Sequence, residues 1–395
     1  MEQFLKGAFT LMKSALKNQK YDLPSEMDYK RVYRFGRKMQ ILPLLFFGME
    51  NCGVVLSPEV REQFEFYCTK ALFFCAKQWA LLQEVFSAFE TANIDYMPLK
   101  GTLLKELYPA PEMRMMADGD ILIRVEQYEA IRPVMQALGF AEDVESDHEL
   151  IWKKDGFSVE LHKRLIPSYN KDYYAYFGDG WQRAVRVSDG GYRYQMSDED
   201  TYVHLLTHFA KHFRDGGIGP RHFVDFFVYR EKKHLDENYI NAELEKLKLR
   251  EFHDHVVTAV NWLFADGAPD DVSEYLAEKI CHSGPYGDAE AHWLSAALKD
   301  TKLNGSFEAG YRRRIVSRFF PSLAVMQSMY PILKKHKVLL PFFWIARWFC
   351  LLFCDKHSAD HYQHIFSKNA NEVAAYENDL AKVGLNYNFQ EETKK

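Results

Sequence analysis

Three acidic side chains are the residues of this chain best placed, by type and spacing, to do chemistry. Asp118 and Asp120 flank Gly119 in Met116-Ala-Asp-Gly-Asp-Ile-Leu-Ile, and Glu160 sits in Phe157-Ser-Val-Glu-Leu-His162. Side chains alternate faces along a strand. Asp118 and Asp120 therefore share one face, while Ile121 and Ile123 share the other. Two neighbouring carboxylates repel each other unless a cation lies between them. Hard oxygen ligands suit Mg²⁺, with Mn²⁺ as the substitute, above all when a substrate phosphate completes the shell. Glu160 and His162 share a face of their own strand, opposite Val159 and Leu161, so Glu160 can join the aspartate pair as a third metal ligand. Upstream, Lys100-Gly101-Thr102 interrupts an extended stretch over residues 93–99 and precedes helical spacing over 103–108. Such a strand–glycine–helix junction offers backbone N–H groups to an anion. Pro109 and Pro111 close the helix.

These residues need a small sheet to hold them. Residues 93–165 alternate strand, helix, strand, helix, strand, strand, an α/β (α+β) pattern. Asp155-Gly156 marks the turn of a hairpin whose second arm carries Glu160. Residues 126–138 read as a helix stopped by Gly139, with Pro133 an irregularity inside it. On either side the spacing is helical. Residues 1–92 form a helical N-terminal region, either a cap on the core or a substrate-selecting lid. The core takes residues 93–195 and ends in a strand pair around Asp189-Gly190-Gly191. A helical domain over 196–300 is expected to complete the cleft, and 301–395 form a helical C-terminal region with a disordered tail from 386.

The helix that opens the third segment is capped by Ser197, with three acids in its first turn. His204, His208 and His212 recur along it every fourth residue and form a stripe. The stripe fits packing against the core and equally a binding role, with His208 or His212 facing nucleotide phosphates or the acceptor. The spacing admits zinc between His204 and His208, but without the glutamate that follows the first histidine of a metalloprotease helix. Asp225 stands among Phe223, Val224, Phe226 and Phe227, so it needs a partner, for which His208, Arg221 and His222 are candidates. The glycine-rich run 214–220 lacks the Gly-Lys-Ser/Thr of a P-loop.

Composition narrows the function classes. The 395 residues are 47% apolar and 15% aromatic, enough for a packed core, and the formal net charge of −5 provides no basic field for nucleic acid. No stable nucleic-acid partner is expected. Cys52, Cys68, Cys75, Cys281, Cys350 and Cys354 form no CxxC pair and read as free thiols of a reducing compartment. With no secretion-signal core at the N-terminus, the expected location is cytoplasmic. The basic run Arg312, Arg313, Arg314 and Arg318 fits a solvated helix face or an anionic acceptor. The apolar run 338–354 is shorter than the ~20 residues that span a bilayer. It reads as a buried helix, with peripheral membrane contact as the minor alternative.

The ordered set resembles the DNA polymerase beta-like nucleotidyltransferase superfamily. Its pattern is a glycine turn, a Dx[DE] pair on the next strand and a later strand bearing an acid between apolar residues. Leu-Lys-Gly101, Tyr-Pro109, Arg114, Asp118-x-Asp120 and Val-Glu160-Leu-His162 are similar to a bacterial family of uncharacterised nucleotidyltransferases. The similarity extends through His204-Leu-Leu-Thr-His208-Phe-Ala-Lys-His212 and Asp225. The resemblance implies a small mixed-sheet nucleotidyltransferase core embedded in a mainly helical protein. It implies that Asp118, Asp120 and Glu160 are catalytic and hold Mg²⁺, with Glu160 as an alternative general base. Lys100, Gly101, Thr102, Arg114, His162, His208 and His212 would bind the nucleotide: the turn cradling β/γ-phosphates, Arg114 gripping the leaving group, His162 orienting Glu160 or touching the acceptor. The substrates would be an NTP, ATP first, and an acceptor that is a small molecule, peptide or RNA, with pyrophosphate released. A degenerate nucleotide-binding or protein-interaction module, an RNA-modifying toxin-type transferase and a DxD glycosyltransferase are the competing classes. Two departures stand out: Lys-Gly-Thr replaces the usual Gly-Ser or Gly-Gly, and Gly119 replaces an apolar residue between the aspartates.

Overall fold

A computed structural model describes residues 1–285, 287–330, 332–353 and 369–387. Helices α1 (Gln3–Lys17), α2 (Tyr29–Lys38), α3 (Leu42–Cys52) and α4 (Pro58–Thr91) come first. The sheet region follows with β1 (Tyr96–Pro98), α5 (Lys100–Leu104), β2 (Asp118–Ile123), α6 (Tyr128–Ala137), β3 (Ala141–Glu145), β4 (Glu149–Lys154) and β5 (Phe157–His162). Beyond α7 (Lys171–Phe177) and a short pair, β6 (Val185–Arg186) and β7 (Tyr194–Gln195), the remainder is helical. It comprises α8 (Asp198–Asp215), α9 (Arg221–Lys232), α10 (Glu237–Leu247), α11 (Arg250–Phe264), α12 (Asp271–His282), α13 (Ala289–Asn304) and α14 (Phe307–Phe319). Helices at Leu340–Phe353 and Ala370–Lys382 follow. This is a mixed α/β protein, as the sequence pattern implies.

The sheet runs in the order β1-β2-β5-β4-β3. Only β2 and β5 are parallel. Asp155 and Gly156 both take positive φ (52° and 81°), the conformation that a two-residue β4–β5 hairpin turn requires. Each sheet face covers a different core. Ile121, Ile123, Val159 and Leu161 pack with Leu82, Val85, Phe86 and Phe89 of α4 and with Ile131 and Met135 of α6. The other face joins Met97 and Leu122 to the helical core of Leu206, Phe209, Phe223 and Phe252. Helix α4 serves both: Val60 and Phe64 near its start belong to the second core, and its last turns to the first.

Gly119 now has a physical reason. A Cβ there would stand 2.6 Å from Leu82 Cδ2 and 3.1 Å from Phe157 Cζ, so α4 and β5 already fill the volume a side chain would take. Pro133 lies inside α6 without ending it. The strand pair expected around residues 181–194 is confined to β6 and β7, and Trp181–Arg183 is a single 3-10 turn.

The C-terminal region departs from expectation. The described side chains of helix Leu340–Phe353 are not buried: Phe342 is 68% and Phe349 60% exposed, and Val338 just before it is 83% exposed. An apolar run signals helix equally well whether or not a partner covers it, so periodicity alone did not distinguish the two cases. No helix of the described residues is long and apolar enough to cross a membrane. The expectation of a tail disordered from 386 also fails at its start, because Tyr387 is buried and its hydroxyl donates to Asp215 Oδ1 at 3.0 Å. Cys354, residues 388–395 and the side chains of Arg318 and Cys350 lie outside the described set. Arg314 pairs with Asp300 (2.8 Å) and Arg313 donates to Asn304 (3.1 Å), so two of the basic residues brace α13 and α14.

Candidate active site

The β2–β5 register assembles the acids. Asp118 pairs with Ser158, Asp120 with Glu160 and Leu122 with His162, so all six side chains fall on one face. Glu149 lies directly across from His162 on β4. This face forms one wall of a cavity of about 330 Å³, lined on this side by Lys100, Gly101, Asp118, Asp120, Glu149, Glu160 and His162. The opposite wall comes from α8, α9 and the loop between them, with His208, Lys211, His212, Ile218, Arg221 and His222.

The mouth of β2 is held from three directions. Arg114 makes a two-pronged bond to Asp225, Nε to Oδ1 at 2.7 Å and Nη2 to Oδ2 at 2.9 Å, and Tyr108 donates to the same Oδ1 at 2.7 Å. Arg221 Nη1 donates to the Met115 carbonyl (2.8 Å) and Gln78 to the Met116 carbonyl (3.0 Å). These bonds tie the sheet wall to α4 and α9. The partner of Asp225 is thus Arg114, not His208, Arg221 or His222. Arg114 lines the cavity with its Nε/Nη2 edge bonded to Asp225, which leaves Nη1 and the second N–H of Nη2 for a further acceptor. Gly101 is required beside it, since a Cβ would come within 2.6 Å of Arg114 Nη1.

Lys100 takes φ +41°, a left-handed conformation that costs a non-glycine residue about 1–2 kcal/mol. In that conformation its ammonium reaches Asp120 Oδ1 at 2.7 Å. The His162 Nε2 stands 2.7 Å from the same oxygen and 3.7 Å from Glu160. His162 therefore orients Asp120 more directly than Glu160. On its other side, His162 Nδ1 meets His148 Nε2 at 3.3 Å. Thr102 lies behind the wall. Its hydroxyl is buried without a partner, it does not line the cavity, and its N–H is spent on the Leu99 carbonyl (3.1 Å). Of the junction N–H groups expected from the sequence, that of Thr102 is thus not available to an anion.

Charge is divided across the cavity. Burial, reinforced by Asp118 and Asp120, pushes Glu160 up to about 8. Burial and Asp120 likewise raise Asp118. Burial would raise Asp120 too, but Lys100 and His162 outweigh it and hold Asp120 well below the usual carboxylate range. On the helical wall burial depresses His208, His212, His222 and Lys211. His208 and His212 fall well below the usual imidazole value, His222 falls to about 3 with help from Arg221, and Lys211 falls to about 8 with help from Lys100. His208 and His212 meet Nε2 to Nε2 at 3.0 Å, whereas His204 turns into the core and meets the Phe177 ring edge-on at 5.6 Å.

Of the residues singled out from the sequence, Lys100, Gly101, Arg114, Asp118, Asp120, Glu160, His162, His208 and His212 line this cavity, and Thr102 does not. One ligand atom from each of Asp120, Glu160 and His162 lie within 4.8 Å of one another. Asp118 stands outside that trio, on the same wall. Carboxylate oxygens at this spacing, with a raised proton affinity at Glu160, fit a divalent cation. Lys211 and Arg221 were missed as site residues. Lys211 sits in the histidine stripe one residue before His212, so the signal was present, but charged helix residues usually face water.

The family of uncharacterised nucleotidyltransferases matches residues 25–265, more than half of the chain and all of this site. The chain belongs to that family. Its membership supports nucleotidyl transfer in general and implies an NTP and an acceptor as substrates. No curated protein matches the chain. A solved structure of the antibiotic-resistance factor ANT(2'')-Ia is similar at 12% identity over 46% of this chain and 98% of that chain, with a TM-score of 0.34.

Proposed function

We propose that the protein moves a nucleoside monophosphate from an NTP, ATP first, to an acceptor hydroxyl, with release of pyrophosphate. The reading places it in the DNA polymerase beta-like superfamily. What supports it is the in-register pairing of Asp118 and Asp120 with the Glu160 strand, facing a cavity whose other wall bears Lys211 and Arg221. Asp118, Asp120 and Glu160 would hold Mg²⁺. When bound, the ion supplies charge neutralisation at the phosphates and lowers the pKa of the attacking hydroxyl. Lys211 and Arg221 receive the charge of the departing pyrophosphate. Of His208 and His212, both neutral in this setting, the ring that accepts in their mutual contact keeps its N–H for a phosphate oxygen. Lys100 must leave Asp120 for the cation to enter, and its ammonium is then free to meet the nucleotide. Glu160 is the carboxylate placed to take the acceptor proton. The acceptor is a small molecule, a peptide or an RNA end.

One observation favours a second reading, a nucleotide-binding module without turnover. The Lys100 ammonium already occupies the position at Asp120 that a metal would take, and Arg114 is committed to Asp225. Incubation of the protein with each α-labelled NTP, Mg²⁺ and a cell extract separates the two. Label transferred to an acceptor with pyrophosphate release, lost in Asp118→Ala, supports transfer. Mg²⁺–ATP binding with no pyrophosphate from any NTP would establish the binding module instead.

A further inference from the structure

We infer that the cavity carries a second, chemically different ion site, one for Zn²⁺, built by His148, Glu149 and His162. The β4–β5 register sets Glu149 directly across from His162. Just before β4, Ser146 Oγ accepts from the backbone N–H groups of His148 (3.2 Å) and Glu149 (3.0 Å), bending the chain. His148 and Glu149 consequently both line the cavity, although consecutive strand residues would point to opposite faces. His162 Nδ1 lies 3.3 Å from His148 Nε2 and 3.7 Å from Glu149 Oε2, and one ligand atom from each of the three falls within 4.8 Å of the others.

The spacing decides between an ordinary contact and a ligand set. Tetrahedral zinc with bonds of about 2.0–2.1 Å to nitrogen has ligand-to-ligand edges of roughly 3.3–3.4 Å. The two imidazoles already stand at that separation. An imidazole–imidazole hydrogen bond also explains their contact, but it does not explain a carboxylate converging on the same nitrogen. The far side of His162 supplies an independent sign: its Nε2 rests on Asp120 Oδ1 at 2.7 Å. Metal-bound histidines typically hold a carboxylate through their second nitrogen in this way, which fixes ring and tautomer. Two histidines and one glutamate with an open side toward a cavity are the composition of a catalytic zinc site. These donors are softer than the oxygens of Asp118, Asp120 and Glu160, so the two sites prefer different ions. His162 links them, because zinc on Nδ1 keeps its proton on Nε2 and thereby keeps Asp120 in place. The inference does not depend on the nucleotide reading.

The test uses the full chain, stripped with chelator and titrated first with Co²⁺ and then with Zn²⁺. We expect one Co²⁺ per chain with the visible bands of tetrahedral coordination, displaced by Zn²⁺. His148→Ala and Glu149→Gln should each weaken the site at least ~10-fold. Asp118→Ala should retain Zn²⁺ while losing Mg²⁺-dependent nucleotide binding, which separates this inference from the transfer reading. Glu149→Gln removes a half-buried charge without changing shape, and it decides the matter if His148→Ala fails to fold by circular dichroism. No Co²⁺ or Zn²⁺ bound to the folded chain would overturn the inference. Binding unaffected by both substitutions would do the same. Loss of binding in His208→Gln with retention in His148→Ala would assign the ion to the facing His208–His212 pair instead.

Discussion

The two walls of the cavity are built on opposite principles. The sheet wall carries acids (Asp118, Asp120, Glu149, Glu160) whose positions follow from strand alternation and one parallel register. The helical wall carries cations and neutral imidazoles on α8 and α9, whose positions follow from 3.6-residue spacing and from which face the helical core leaves uncovered. Apart from Lys100, paired with Asp120 on the sheet wall, and Asp225, paired with Arg114, the acids line one wall and the cations the other. Under the proposed transfer reading, the metal would sit on the acidic side and the phosphates on the basic side. The difference also shows in how firmly each wall is held. The acids sit on three strands each bonded on both sides, while the Lys211 ammonium has no hydrogen bond or ion pair within the described residues.

The clamp between the walls is where the largest effect should appear. Arg114 is 6% and Asp225 5% exposed, so removing one charge strands the other in a medium that cannot solvate it. Asp225→Ala should therefore destabilise the fold by about 3–5 kcal/mol. Denaturant unfolding checks this, and a loss under ~1 kcal/mol would show that the walls are held together by packing alone. The double variant Arg114→Met with Asp225→Leu should recover much of the stability, because no unpaired charge remains.

Next comes the acidic wall itself. Asp120→Ala removes the oxygen on which Lys100 and His162 converge, and should lower Mg²⁺-dependent turnover by more than ~100-fold. Turnover within tenfold of the parent would remove Asp120 from the reacting centre. On the basic wall, Lys211→Ala should weaken NTP affinity about tenfold, corresponding to the loss of one charge-assisted contact of about 1.4 kcal/mol. Equal weakening of AMP and ATP would move Lys211 away from the β/γ-phosphates. Lys211 also predicts a pH effect. Burial lowers its pKa to about 8, with Lys100 and Arg214 adding to the shift and Asp215 and Glu149 opposing it. The ammonium is present below about pH 8 and is lost above it, so ATP affinity should fall as pH rises through that window. Lys211→Arg, which stays charged, should flatten the fall relative to the parent, a comparison in which the other titrating groups are shared.

How much was legible in the sequence follows the same division. Strand alternation is strict, so Asp118, Asp120, Glu160 and His162 were placed on their faces from spacing alone, and Asp155-Gly156 marked the hairpin that brings Glu160 in. That Glu160 could join the aspartates from a neighbouring strand was legible, whereas the Asp120–Glu160 register was not fixed by any local signal. The partners of Arg114 and Lys100 were not legible. Arg114 and Asp225 lie 111 residues apart, and nothing local distinguishes an arginine that will meet phosphate from one that will meet a carboxylate. His148 was passed over for a related reason: it belongs to the bend before β4, held by the Ser146 bonds and by the Lys163 N–H on its carbonyl (2.8 Å), and not to a strand whose alternation could be read. The helical stripe was visible, but its members separate by small rotations. His208 and His212 face the cavity while His204 packs on Phe177 of α7.

The smallest effect concerns the residue that the junction motif placed with the phosphates and the fold places behind them. Thr102 is 3% exposed, its hydroxyl has no partner, and its N–H is bonded to Leu99. Valine has nearly the same shape without the hydroxyl. Thr102→Val should thus raise stability slightly, by up to about 1 kcal/mol, since a buried hydroxyl without a bond is itself destabilising. ATP affinity should stay within twofold, because neither the side chain nor the N–H reaches the cavity. A tenfold loss of ATP affinity with unchanged stability would mean that Thr102 turns outward when nucleotide enters. In that case the junction opens on binding, and the strained Lys100 backbone marks the hinge.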